Sequence, residues 1–490
     1  LINPWISQQH KPRRVSATAA NPANPLPRRG LLLFTVCLGA FMATLDTSIV
    51  NIALPQIARG FGSSLAQISW VMVAYLLVQV SLLLISGRLG DLWAPGRLYL
   101  LGLLVFTGSS ALCGLASDLP RLVAARSCQA LGSALMLGLA PKLIAVTFGE
   151  GERGLPLGLF STAFAAGISV GAPAGGIITS YLGWPYIFFI NIPICVLALL
   201  VGGTSLGRLR SQMAWKRGAL DIWGSLVLPL ALGSLVLALT RLRESGWGDG
   251  LTEGSLALGL GLFLVLIFLE RRQPFPLING ELWGSWPFVA GSLAAVLTFA
   301  AVMGTFFLLP FFLEQVYRYS PRQAGLLLGV LALTNAAVAG VGGYLADRWG
   351  NLLVLRSGCL LMLGGLASLV FTGPGDTALG LAARFVLLGL GLGLFQAPNL
   401  NEILRGVKPS LVGLAASTNA VSKNLGSLTG ITLMVTVFAW LELHGTRLGQ
   451  EVHPGLGPYQ MAFAAALLVA AINLLINLLP RKRPTANRGR

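Results

Sequence analysis

Fourteen apolar runs, most of them close to the length of a membrane-crossing helix, divide this chain from end to end. A helix needs about 20 apolar residues to cross a bilayer. Runs of that order fall at 31–54, 67–87, 97–117, 121–147, 154–180, 185–206, 222–241, 252–270, 288–314, 322–346, 352–372, 377–401, 411–440 and 459–479. Composition agrees, because 55% of the residues are hydrophobic and 10% are charged, against about 25% charged in an ordinary soluble domain. The expected fold class is an all-α polytopic membrane protein.

The runs repeat. Gly87-Arg88-Leu89-Gly90-Asp91 returns about 256 positions later as Gly343-Tyr344-Leu345-Ala346-Asp347. Arg126 lies in Ala-Ala-Arg, as does Arg384, and Pro141 and Pro398 follow them at near-equal distance. Landmarks in one order and one spacing point to a duplicated helical bundle, an architecture common among secondary transporters. Runs one to six then correspond to runs nine to fourteen, and the seventh and eighth are an insertion. The expected organisation is a tail over 1–30, a six-helix bundle over 31–206, a linker with two inserted helices over 207–287, a second six-helix bundle over 288–480, and a tail over 481–490.

The net charge of +17 does not describe a nucleic-acid binder, since its basic residues sit in short clusters between apolar runs and not along one face. Those clusters set the orientation. With the N-terminus inside, Arg28, Arg29, Arg208, Arg210, Lys216, Arg217, Arg271, Arg272 and Arg481 to Arg483 all fall on the cytoplasmic side, where basic loops belong. Both termini are expected there. The proline-rich first 30 residues have no short apolar core with a cleavage site and read as a disordered tail. The five cysteines lie inside apolar runs without metal-ligand spacing, so neither a metal nor a cofactor is expected.

Charge inside a span is costly and points to function. Arg126, Lys142, Arg356, Arg384 and Lys423 lie within runs, and Asp46 is the one acid deep in a run. At 1.5 Å per residue, Asp46 and Arg126 differ in depth by roughly 5 Å, so they can meet. Two readings stand. A carboxylate whose burial and partner change during a cycle loads and releases a proton; a fixed pair holds two helices together. The second half has no such acid, because Val302 stands at the repeat position, and the asymmetry favours function. Glu314 and Glu402 are expected to pair with Arg318 and Arg405. Thr44, Thr47, Asn51, Gln79, Gln129, Asn335, Arg384, Gln396, Asn419 and Lys423 are the candidate polar points of a substrate cavity. They are few and scattered, which suits amphipathic or cationic organic compounds held by apolar contact and one carboxylate.

Several motifs, in order, resemble the fourteen-span drug:proton antiporters of the major facilitator superfamily. Leu45 to Pro55 resembles the family's first-span signature. Gly87, Leu89 and Asp91 with Arg97 resemble its loop motif, and Arg126, Gln129, Gly132 and Pro141 its fourth-span motif. Gly158, Gly167, Gly171, Gly175 and Gly176 with Pro173 resemble its antiporter glycine motif. Trp184, Phe188 and Asn191-Ile192-Pro193 resemble the opening of span six, and Leu220 to Gly224 the start of the inserted pair. The chain departs from the family at Ala94, Gly96, Ala172 and Pro185.

The resemblance implies two six-helix bundles with two helices between them, in the cell (inner or plasma) membrane, working as a monomer on protons and a small molecule. The residues themselves favour proton coupling at Asp46 and Arg126, and the resemblance implies a cytoplasmic gate at Gly87, Arg88, Asp91, Arg97, Asp347 and Arg348, the alternative there being a topology signal with an exposed salt bridge. Gly167, Gly171 and Gly175 recur every four residues along one helix face. That spacing lets another helix approach closely, either as static packing or as a moving seal against the second half, with span ten as the expected neighbour.

Overall fold

The computed structural model describes residues 26–149, 152–206, 222–245, 248–272, 280–373, 375–408, 411–444 and 456–479. Residues 1–25 of the expected first tail, the second tail, and Leu220 and Asp221 of the inserted-pair motif lie outside the described residues, whereas the end of the expected first tail, from Leu26, is helical and opens α1. Every regular element among the described residues is a helix. The long ones are α1 (Leu26–Phe61), α2 (Trp70–Leu92), α3 (Pro95–Gly114), α4 (Leu119–Thr147), α5 (Gly154–Tyr181), α6 (Asn191–Ser205) and α7 (Ile222–Ser245). They continue as α8 (Gly250–Arg272), α9 (Trp286–Gln315), α10 (Pro321–Trp349), α11 (Asn351–Val370), α12 (Ala378–Arg405), α13 (Val412–His444) and α14 (Leu456–Leu478). Thirteen helices among the described residues are long and apolar enough to cross a membrane, and α7 adds a shorter apolar stretch over Pro229–Ala238.

Helix starts are written locally. Ser64 accepts from Gln67 N while Gln67 Oε1 accepts from Ser64 N. This capping box satisfies two donors that a helix start leaves orphaned. Ser320 and Gln323 build the same box at the start of α10, which adds a further landmark at the repeat spacing. Asp118 and Thr377 cap α4 and α12 through their side chains. Pro55 and Pro310 sit inside α1 and α9, and Pro141 and Pro398 inside α4 and α12.

Packing repeats as well. Helix α1 packs on α4, α5 and α6, while α4 also packs on α2 and α3, and α3 on α6. Helix α9 packs on α12, α13 and α14, while α12 also packs on α10 and α11, and α11 on α14. The two sets meet through α5 on α10, α2 on α13 and α1 on α9. The hairpin α7–α8 rests through α7 on α2 and α13.

Hydrogen bonds across this seam run from mid-helix towards one end. Ser169 Oγ donates to Ala332 O (3.2 Å) and Asn51 Nδ2 to Phe306 O (2.8 Å). Beyond them Arg59 Nη2 donates to Glu314 Oε2 (2.7 Å), and Arg322 joins Ser180 and Tyr181. Glu314 therefore pairs with Arg59 and not with the expected Arg318. It lies on the buried face of α9 turned towards α1, whereas Arg318 sits past the helix end at φ 57°. Glu402 does pair with Arg405, at 3.1 Å.

The glycine stripe of α5 faces a different neighbour from the expected one. A Cβ on Gly167 would meet Thr44 and Phe41, one on Gly171 would meet Ser48 and Leu45, and one on Gly175 would meet Ile52 and Ile49. All of these belong to α1, within the same set. The contact with α10 is made by the adjacent face. There a Cβ on Gly176 would sit 2.4 Å from Pro321 O, and a Cβ on Gly325 2.5 Å from Ala172 O. Pro173 packs on Gly329 of α10. Gly158 has open space around it.

Candidate functional site

Asp46 and Arg126 meet. The carboxylate projects from the middle of α1, and Arg126 comes from α4 with Gln129 one turn on. Both charged side chains are 0% exposed, and Arg126 Nη1 donates to Asp46 Oδ2 at 2.5 Å. The other carboxylate oxygen is taken twice, by Gln129 Nε2 (2.9 Å) and by Asn191 Nδ2 (2.8 Å). Gln129 Oε1 accepts from the same Arg126 nitrogen, at 2.6 Å. Ser110 on α3 closes the net, accepting from Gln129 at 2.8 Å and from Asn191 at 3.3 Å. The guanidinium lies 4.1 Å from the Tyr75 ring centroid, in a cation–π position.

Five helices thus converge on one carboxylate, and sequence reading had given two of these residues a coupling role. Asn191 was noted only as part of a motif, and Ser110 and Tyr75 were missed. Each was a polar group inside an apolar run, which is the signal that finds them. Arg126 is not fully used. Its Nε and Nη2, and Asn191 Oδ1, are buried without hydrogen-bond partners among the described residues.

Several residues expected to line a cavity bridge helices instead. Thr44 Oγ1 donates to Phe164 O, Asn51 to Phe306 O, and Gln79 to Ser133 Oγ. Thr47 is half-buried and donates back to Ala43 O. Arg384 pairs with Asp376 near the start of α12, so its counterpart of the Asp46 contact is a loop acid. Asp46 cannot serve as the counter-charge of a bound cation here, because both its oxygens are occupied and enclosed.

A second polar cluster sits among α9, α10, α12 and α13. Lys423 Nζ donates to Gln396 Oε1 (3.0 Å), and Gln396 Nε2 donates to Asn335 Oδ1 (3.1 Å). The ammonium is 5.3 Å from the Phe299 ring centroid. Asn419 is buried one turn earlier on α13, and its Oδ1 has no partner among the described residues.

At the gate motif the backbone of Gly87, Arg88 and Asp91 is helical, and their side chains lie outside the described residues. Arg97, Asp347 and Arg348 are exposed. Asp347 makes no ion pair among the described residues, and Arg348 stacks 5.2 Å from the Tyr344 ring centroid.

The family model of the major facilitator superfamily matches residues 36–431. The chain belongs to that superfamily. It is accordingly an integral membrane transporter of small molecules and not an enzyme. Among curated relatives of this facilitator, a riboflavin transporter of Clostridioides difficile (strain 630) is 32% identical over 414 residues, covering 84% of this chain and 89% of the relative. A tetracenomycin C resistance and export protein of Streptomyces glaucescens is 31% identical, covering 89% and 82%. A puromycin resistance protein of Streptomyces alboniger is 30% identical, covering 94% and 93%. The facilitator fold is also that of a solved peptide transporter in complex with sulfate (TM-score 0.65, 16% identity, 91% of this chain and 94% of that one). A bacterial homologue of the human lysosomal transporter Spinster, inward-facing and unoccupied, gives a TM-score of 0.64 at 16% identity, covering 93% and 97%.

Proposed function

We propose that this facilitator is a proton-coupled antiporter that exports amphipathic organic compounds by alternating access, as a monomer in the cell (inner or plasma) membrane. In this reading fourteen spans form two six-helix bundles, over 31–206 and 288–480. The pair α7–α8 is inserted in the 207–287 linker, and both termini are cytoplasmic. The recurring packing partners support the arrangement, and the basic clusters support the orientation. The seam contacts at Arg59, Gly176 and Arg322 then lie outside, and Asp91, Arg97 and Asp347 act as the gate on the cytoplasmic side.

The observation that carries the reading is the enclosed pair of Asp46 with Arg126 in a transporter whose relatives include antibiotic exporters. Paired with Arg126, Asp46 is a carboxylate that has already given up its proton. A proton taken from the outer side dissolves the ion pair and frees α1 from α4. The surrounding bonds from Gln129 and Asn191 then re-form on a neutral carboxyl, and the change in pairing is passed to the helices that carry them. Movement of the substrate outwards is thereby tied to movement of a proton inwards.

Liposomes holding the purified protein, with an imposed pH gradient and puromycin as probe, test this. Uphill puromycin movement opposite to the proton flow, abolished by a protonophore and by Asp46→Asn, is expected. Puromycin movement that ignores the gradient overturns coupling. The relative named a riboflavin transporter favours a second reading, transport of a flavin, and riboflavin in the same liposomes decides it.

A further inference from the structure

Among the described residues no carboxylate balances the charge of the cluster around Lys423. The first bundle is neutral at its centre, because Asp46 and Arg126 cancel. In the second set, Arg384 is matched by Asp376 and Arg405 by Glu402, and Arg356 Nε is held by Asn477 O at 3.0 Å. Lys423 has no carboxylate within ion-pair distance among the described residues; its polar partner is the neutral Gln396. An ammonium has three protons to donate, and an unpaired one within a span is expensive and marks a substrate path.

We propose that Lys423 is the substrate's charge partner, and that the cluster around it takes planar organic anions carrying a carboxylate or another oxyanion. This deepens the transport reading given above and rests on it for a substrate path through the membrane. Three features agree on the ligand. Lys423 supplies the positive charge, and Gln396 with Asn335 fixes the position of its ammonium. Phe299 sets an aromatic face beside that charge, which suits a flat ring system. Asn419 Oδ1, one turn away and buried without a donor, offers an acceptor for a hydroxyl or amino group on the same ligand. A cationic ligand such as puromycin finds Lys423 unmasked and the carboxylate of Asp46 already occupied, so it is carried as a lower-affinity substrate.

Three probes of one shape separate the possibilities: 2-naphthoate, 2-naphthamide and 2-naphthylmethylammonium, measured by equilibrium dialysis against the purified full-length protein in detergent. The naphthoate should bind tightest, by about tenfold over the ammonium compound, as one charge-assisted hydrogen bond allows. Lys423→Gln should erase that preference, and Lys423→Arg should keep it. A wild type that binds the ammonium probe as well as the naphthoate overturns the proposal, as does a folded Lys423→Gln protein with an unchanged order. Should Lys423→Gln fail to fold, the wild-type order and Lys423→Arg still decide. No gradient is involved, so loss of pH-driven puromycin transport with the naphthoate preference intact rejects coupling alone.

Discussion

Arg59 and Glu314, 255 positions apart in the chain, meet at 2.7 Å where the ends of α1 and α9 cross. Asn51 and Phe306 have the same separation and also meet. Their spacing is nearly that of the sequence repeat, so α1 and α9 touch through equivalent positions. This is what a two-fold relation between two bundles requires along its axis. On the proposed alternating-access cycle, this contact is the seam that must open.

Glu314 is 3% exposed and Arg59 60%, so the pair is half solvated and contributes about 1 kcal/mol. Arg59→Ala should raise opening at that end roughly fivefold. Hydrogen exchange in 56–62 and 310–316 should quicken, while the interior of α12 stays protected. Unchanged exchange in both segments would show that the apolar seam alone holds this end.

Asp46→Asn should leave Arg126 buried without a counter-charge, at a cost of about 3–5 kcal/mol, seen as a lower unfolding temperature. The double variant with Arg126→Gln should recover much of that stability and none of the pH-driven transport. If the double variant still transports uphill, the pair is a structural clamp and the proton travels elsewhere.

The loop before α12 gives a pH test clear of the membrane. Tyr317 donates to Gly373 O at 2.8 Å, and burial, with the negative charge of Asp376 beside it, pushes its phenol up from 10.0 to about 12. The folded state holds this proton more tightly than the unfolded one, so the contribution is complete below about pH 10 and lost as pH rises towards 12. The hydrogen bond from Arg384 holds Asp376 below its usual 3.8, so that contribution is present at neutral pH and lost only in acid. Tyr317→Phe should be less stable at pH 8 and should lose less stability than wild type between pH 10 and 12. Parallel unfolding curves across that range would remove the phenol from the account.

The apolar helices and the contact of Asp46 with Arg126 were legible in the sequence for one reason: charge stands out against an apolar background. What was not legible is which face meets which neighbour. Four-residue spacing at Gly167, Gly171 and Gly175 announces a close approach but does not name the partner, and α1 fills that place. Glu314 was assigned to Arg318 because it is near in sequence, whereas the packing of α1 on α9 brings it to Arg59. Asn191 and Ser110 looked like isolated polar residues until five helices brought them to one carboxylate.

The corrected glycine contacts give the sharpest mechanical prediction. A methyl group at Gly176 would lie 2.4 Å from Pro321 O and 3.1 Å from the Gly325 Cα. Both are backbone atoms, so neither can rotate aside, and α5 and α10 must move apart. At Gly171 the obstacle is Ser48 Cβ at 2.5 Å with Leu45 O at 2.9 Å, inside one bundle. The two substitutions should therefore fail differently. Gly176→Ala should keep its bundle and lose the seam, giving faster exchange at 173–180 and 321–329 and a proton leak in liposomes. Gly171→Ala should loosen α1 against α5 and lower the unfolding temperature, since close helix contact in lipid depends on van der Waals packing. Gly158→Ala, with open space around it, should match the wild type in both measurements. A Gly176→Ala protein with wild-type exchange and no leak would mean that α5 and α10 do not form the moving contact.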